Sequence, residues 1–185
     1  RVLKRVKVIE LVSLVYPFLK NELYLTWQVD ELPRLVSKIL TTLSEYGFLS
    51  ENTENDSYAR PGSGAKRHRH LNLLEKIITP VLEVYYLSLV ILARSEFNVV
   101  SIQDLEKKCY LMAQRVAMIH KLNSPDYSDK RLVSNFINEL VHGDYLRLYE
   151  NEHLEYGEGF YDTNRHLRLL LGKEMRMNIL QMVKS

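Results

Sequence analysis

Cysteine is nearly absent from this chain of 185 residues, where Cys109 stands alone. A lone thiol excludes an internal disulfide framework and suits a reducing compartment. Glycine is sparse, with 7 in all, and the nearest approach to a phosphate cradle is Gly62-Ser63-Gly64-Ala65-Lys66-Arg67. That stretch lacks the glycine spacing and the Gly-Lys-Ser/Thr ending of a P-loop. A strong excess of one charge is missing too, since 25 basic and 23 acidic residues leave a net +2. This near-balance argues against nucleic acid as a partner, because such binders usually carry a marked basic surplus. No apolar run is long enough for a membrane span. The nearest, Val81 to Ala93, contains Glu83 and falls short of the ~18–20 residues a bilayer requires, so it reads as a buried core helix. An initial methionine is lacking: the chain opens on Arg1-Val2-Leu3-Lys4-Arg5-Val6-Lys7. No small-residue cleavage site follows the apolar stretch, which makes a cut inside a longer protein a better reading than a secretory signal.

What is present is apolar material at helical spacing. Hydrophobic residues make up 46% of the chain, ample for a core. Val2, Val6, Ile9, Val12 or Ser13, and Tyr16 predict a first helix, which Pro17 should kink or interrupt. Asp30 is placed to cap a second helix with Pro33 in its first turn. Leu32, Leu35, Val36, Ile39, Leu40 and Leu43 mark its buried face, and Gly47 stops it. Ser50 to Ala65 is polar and reads as a long mobile loop. A central helix is predicted from about His70, with Leu71, Leu74, Ile77, Ile78, Val81, Leu82, Tyr85 and Leu89 on one stripe. Ser101 and Asp104 look like a capping box for the next helix. After the connector Asn123-Ser124-Pro125-Asp126, Leu132, Val133, Phe136, Ile137, Leu140 and Val141 predict another helix, ended by Gly143. Alternation over Tyr145 to Tyr149, the turn-like Glu150-Asn151-Glu152, and His153 to Tyr156 predict a hairpin. Asp162 or Thr163 then caps one final helix.

The fold class is therefore mainly α, a multi-helix bundle with one or two small β-hairpins of winged-helix-like character. Residues 1–185 read as a single helical domain, divisible into sub-units 1–50 and 68–185 joined by loop 51–67. Tyr46-Gly47-Phe48-Leu49 is echoed by His142-Gly143-Asp144-Tyr145-Leu146, as two helix–glycine–strand endings would be.

The chemistry-bearing residues form no catalytic constellation. His70 with Glu75, and His153 with Glu158, are five apart, yet neither is a compelling dyad. His68 and His70 have a zinc-compatible spacing but lack a ligand set. No catalytic, cofactor-binding or metal residue is assigned. Arg60, Lys66, Arg67 and Arg69 form a basic cluster that could attract anionic lipid headgroups or an acidic carrier protein, each worth about 1 kcal/mol near an anionic surface. A solvated basic loop is the alternative.

One colinear series of segments carries a resemblance. Tyr16-Pro17-Phe18-Leu19-Lys20-Asn21-Glu22-Leu23-Tyr24-Leu25, Glu31-Leu32-Pro33 and Tyr46-Gly47-Phe48-Leu49 come first. Ala113-Gln114-Arg115-Val116-Ala117-Met118-Ile119-His120 and Asn123-Ser124-Pro125-Asp126-Tyr127-Ser128-Asp129-Lys130 follow, and Gly143-Asp144-Tyr145-Leu146 closes it. In this order they resemble the late segments of bacterial glycerol-3-phosphate acyltransferases. The loop from Ser50 to His70 and the tail beyond Tyr149 match poorly. The resemblance implies transfer of an acyl group from acyl carrier protein or coenzyme A to the 1-hydroxyl of glycerol 3-phosphate, giving lysophosphatidate for phospholipid synthesis. It implies a histidine base with an aspartate five positions later, and this chain has no such pair. The chain is then a non-catalytic C-terminal part that supports a catalytic domain upstream in the same polypeptide. Contact with a membrane surface follows from the same resemblance, at the cytoplasmic face of the inner membrane. Dihydroxyacetone phosphate stays open as the acceptor. The competing reading is a tandem winged-helix DNA-binding or protein-interaction module, with Lys107, Lys108, Gln114 and Arg115 on its recognition helix.

Overall fold

A computed structural model describes residues 2–95, 101–120, 124–149 and 153–183. The chain divides into two compact units, residues 1–77 and 78–185. Mainly α architecture with small antiparallel hairpins holds in both.

The first unit opens with β1 (Val2–Lys4) and α1 (Arg5–Glu22). After a short 3-10 helix, Val29–Glu31, come α2 (Leu32–Glu45), β2 (Ser50–Asn52) and β3 (Ser57–Ala59). The first half of α3 (Lys66–Leu92) completes the unit. β3 lies between β1 and β2, antiparallel to both. Two expectations fail here for one reason. Val2–Lys4 is a strand instead of the first helical turn, and Ser50–Ala59 is a hairpin instead of a mobile loop. Each strand is only three residues long, so none shows its alternation; pairing across the chain creates all three. Arg5 pins the arrangement. Its backbone N–H donates to the Asp56 carbonyl at 2.9 Å. Its guanidinium donates to the Asp56 carboxylate at 2.8 Å and to Glu51 at 3.2 Å, and lies 5.3 Å from the centre of the Tyr58 ring.

α1 runs through Pro17 without ending. Its buried residues are Leu11, Val15, Tyr16, Phe18 and Leu19, while Val2 and Val6 are exposed. The cap expected from Asp30 gives way to a capping box on the 3-10 helix before α2, where Gln28 is the N-cap and the Glu31 carboxylate accepts from its N–H at 2.7 Å; Glu31, the N-cap of α2, makes no side-chain cap bond there. Pro33 occupies the first turn as expected. Val36 and Leu40 form a core with Tyr58, against which Val8, Ile9, Val12 and Leu49 pack.

The second unit holds the rest of α3, where every residue from Val81 to Leu92 is buried. α4 (Ile102–His120), a 3-10 helix at Pro125–Ser128, and α5 (Lys130–His142) follow. The hairpin of β4 (Leu146–Tyr149) and β5 (His153–Tyr156) lies where the alternation placed it, with Leu146 opposite Tyr156. Its turn, like Asn123 of the connector, lies outside the described residues. Ser101 and Asp104 form half of the expected box: the Asp104 N–H donates to Ser101 Oγ at 3.1 Å, and it is the Ser101 hydroxyl that donates to the Asp104 carboxylate, at 2.9 Å. The predicted final helix is two, α6 (Phe160–Leu170) and α7 (Lys173–Met182). It starts earlier than Asp162, because Gly159 takes φ +82 at its N-cap, and it breaks where Leu171 and Gly172 are extended.

The two units repeat one plan. Each runs from a strand or bridge through helix, 3-10 helix, helix and hairpin, and Ser101 pairs with His153 of β5 much as β1 pairs with β3. The echo seen in the sequence needs a shift of register by one residue. Gly47 at φ +70 corresponds to Asp144 at φ +58, not to Gly143. Tyr46, Gly47 and Phe48 donate to the carbonyls of Thr42, Ser44 and Leu43. Gly143, Asp144 and Tyr145 donate to those of Glu139, Val141 and Leu140, each 97 positions later. Both helices carry Arg-Leu-Val-Ser in this alignment, Arg34 to Ser37 and Arg131 to Ser134. Glycine takes left-handed backbone without steric cost, and aspartate is among the few other residues that tolerate it. Arg147 forks onto the Asp144 carboxylate with two bonds of 2.7 Å and holds that carboxyl below the usual range.

Candidate functional site

The basic cluster begins where β3 leaves the sheet and α3 starts. Lys66, Arg67 and Arg69 fall in the first turn of α3 and are exposed, and that turn holds no acidic residue. Backbone amides at a helix N-terminus already carry positive partial charge, so these cations concentrate one sign of field. Two of the four have contacts of their own. Arg60 is partnered: its guanidinium donates to Glu75 at 3.1 Å and to Asn72 Oδ1 at 2.6 Å. Arg67 stacks over the Phe48 ring at 4.6 Å, a cation–π contact that holds the guanidinium near the surface. Nearby, His68 Nδ1 meets the Pro61 carbonyl at 3.0 Å. One to two turns further along α3, Leu73, Leu74 and Ile77 are all more than half exposed, beside exposed Lys76. The sequence placed Leu74 and Ile77 on the covered stripe; in the structure they face outward. Gly62 and Gly64 have nothing within 4 Å of where a Cβ would stand, so no cradle closes there.

Three further histidines are tied into local structure. Glu75, five residues after His70, accepts from Arg60, and the His70 ring lies 6.2 Å from that of Phe48. His153 belongs to β5 and bridges Ser101 through the backbone. His166 Nδ1 meets the Asp162 carbonyl at 2.7 Å. Among the described residues no three His, Cys, Asp or Glu are grouped to hold a metal ion, and no helix is long and apolar enough to cross a membrane. Burial pushes the Cys109 thiol up to about 12, against a smaller opposing effect of its hydrogen bond with Ser88. A thiol so far from ionising is a packing residue, not a nucleophile.

Sequence reasoning missed two places in the second unit. The first is a hollow of about 330 Å³ beside α4 and α5, lined in part by Glu106, Lys107, Tyr110, Lys130 and Ser134. Lys130 Nζ sits 5.0 Å from the centre of the Tyr110 ring, and Gln114 donates to the Tyr110 hydroxyl at 2.9 Å. Lys107 and Gln114 were assigned to a recognition helix, yet the helix preceding the hairpin is α5. The second is Glu83, buried in α3, whose carboxylate accepts from the Tyr127 hydroxyl. Burial and that bond push the phenol far above its ordinary range. These partners lie 44 positions apart, a distance at which no periodicity signals a contact.

The segment order and helix–hairpin plan define a class. Residues 1–148 match the family described as Glycerol-3-phosphate acyltransferase C-terminal region, and the chain belongs to that family. Named relatives agree. The chain is 32% identical over 180 residues to a glycerol-3-phosphate acyltransferase of Pseudomonas fluorescens (strain SBW25), covering 97% of this chain and 21% of that protein. It is 34% identical over 171 residues to the enzyme of the same name from Pseudomonas putida (strain W619), covering 92% of this chain and 20% of that protein. The chain thus spans about a fifth of the length of these relatives. No solved structure matches it.

Proposed function

We propose that this chain is the non-catalytic C-terminal part of a glycerol-3-phosphate 1-O-acyltransferase. That enzyme moves an acyl group from acyl carrier protein or coenzyme A to glycerol 3-phosphate and forms lysophosphatidate. Residues 1–185 serve together as its helical C-terminal domain and brace a catalytic region upstream in the same polypeptide, which supplies the histidine base and its carboxylate. The observation that carries this reading is the family match over residues 1–148 in a chain covering only a fifth of its relatives. The contacts of Glu75 with Arg60, and of His68 and His166 with backbone carbonyls, support a scaffold role. The test compares acyl transfer to glycerol 3-phosphate by the parent enzyme and by residues 1–185 alone. The parent turns over and the fragment does not; turnover by the fragment overturns the reading.

In the same reading, Arg60, Lys66, Arg67 and Arg69 mark a face turned toward an anionic bilayer, at the cytoplasmic side of the inner membrane. Exposed Leu73, Leu74 and Ile77 beside these cations support it, since interfacial helices join an apolar strip to basic flanks. Reversing charge at Lys66 and Arg69 together should weaken sedimentation with phosphatidylglycerol vesicles by at least about tenfold, at about 1 kcal/mol per cation. Phosphatidylcholine vesicles serve as the neutral control. Unchanged binding removes the membrane contact and leaves the brace standing.

A further inference from the structure

The repeat reveals an inequality between the units. In unit 2 the apolar arc of α5 is sealed across its width: Leu132, Val133, Phe136, Ile137 and Leu140 are all buried. Part of the seal is the second half of α3. Phe136 stacks on Tyr85 with 4.1 Å between ring centres and planes 8° apart, and Cys109 of α4 is hydrogen-bonded to Ser88. The counterparts on α2 are Leu35, Val36, Ile39, Leu40 and Leu43, apolar at every position. Val36 and Leu40 are buried, but Leu35 and Leu43 are only half-buried, and Ile39, the counterpart of Phe136, is 46% exposed. On α1, Val12 is the counterpart of Cys109; it too is half-buried where Cys109 is fully covered. The thinly covered positions of unit 1 therefore include the counterparts of Phe136 and Cys109, two of the residues that touch α3 in unit 2.

We propose that this face of unit 1, formed by Val12, Leu35 and Ile39, seats an apolar helix of the parent polypeptide lying immediately upstream of Val2. That helix is the counterpart of Ile78–Leu92. Shifted by the 97-residue repeat, Ile78–Leu92 falls upstream of this chain, in the four-fifths of its relatives' length that the chain does not span. The occupant presents aliphatic or aromatic side chains to Ile39, as Tyr85 does to Phe136, and it ties the C-terminal region to the part ahead of it. The inference rests on the proposed function only in requiring a polypeptide upstream.

The test uses the full parent chain. A photo-crosslinking benzoylphenylalanine at position 39 should bond, within one molecule, to the stretch immediately upstream of Val2. Ile39→Cys should react with maleimide at least about a hundredfold more slowly in the folded chain than in urea, because reaction then requires local opening. Leu35→Cys is the second variant if Ile39→Cys does not fold. Crosslinks to a second copy, to lipid, or elsewhere in the chain overturn the proposal, as does labelling within a few fold of the unfolded rate. None of these readouts depends on acyl transfer. Crosslinks elsewhere in an enzyme that is active only with its upstream region defeat the seat and spare the proposed function. Turnover by residues 1–185 alone defeats the function, whatever position 39 contacts.

Discussion

Replacing Tyr127 with phenylalanine deletes one oxygen and takes one hydrogen-bond donor away from the buried Glu83 carboxylate. Both residues are nearly sealed, with Glu83 6% and Tyr127 3% exposed. A hydrogen bond to an ionised group contributes about 1.5–3 kcal/mol and a neutral one about 0.5–1.5 kcal/mol. Tyr127→Phe should therefore destabilise the chain by about 1–3 kcal/mol. Glu83→Leu removes the buried carboxylate but strands the phenol. The double variant removes both and should recover part of the loss, because an isosteric apolar pair avoids the cost of burying charge. Urea unfolding of the four proteins, followed by circular dichroism, gives the coupling energy. A coupling below about 0.5 kcal/mol, within the usual error of additivity, would refute the idea that this pair fastens α3 to the segment before α5.

Three further outcomes follow from backbone space and ionisation. A Cβ on Gly157 would lie 1.8 Å from the Asp144 carbonyl oxygen, so Gly157→Ala should cost at least about 2 kcal/mol as overpacking against rigid backbone, seen as a lowered thermal midpoint. Gly47→Ala should cost about 1 kcal/mol from left-handed strain alone, since nothing stands within 4 Å of the new methyl group; Gly47→Asn should cost less. Cys109 should resist a thiol reagent at pH 8 until the chain unfolds. Its thiol is raised from 9.0 to about 12, so the unfolded chain loses that proton first. The stabilisation is complete below pH 9 and is lost as pH climbs toward about 12, which alkaline denaturation monitored by circular dichroism will show.

How far the sequence could be read depended on the range of the forces involved. α2 was legible because Pro33 and Gly47 punctuate it and Leu32, Val36 and Leu40 repeat at helical spacing. The hairpin at Leu146–Tyr156 showed its alternation because each strand has four residues. β1, β2 and β3 were illegible at three residues each, too short to display a period. Ile39, Leu74 and Ile77 teach a separate lesson. Periodicity says which residues share a face, and says nothing about whether another surface arrives to cover it. The basic cluster was visible as composition, but Arg60 with Glu75 and Arg67 with Phe48 are contacts made by tertiary structure. The repeat was half seen: the eye aligned glycine with glycine, while the hydrogen bonds align Gly47 with Asp144.

The uninterrupted burial of Val81 to Leu92 sets a timetable for biosynthesis. α4 and α5 are translated after the segment they enclose, so this greasy stretch leaves the ribosome about 50 residues ahead of Leu140. At about 5–20 residues per second it waits roughly 2–10 s unclothed, long enough for a chaperone, or a neighbouring nascent chain, to take hold of it.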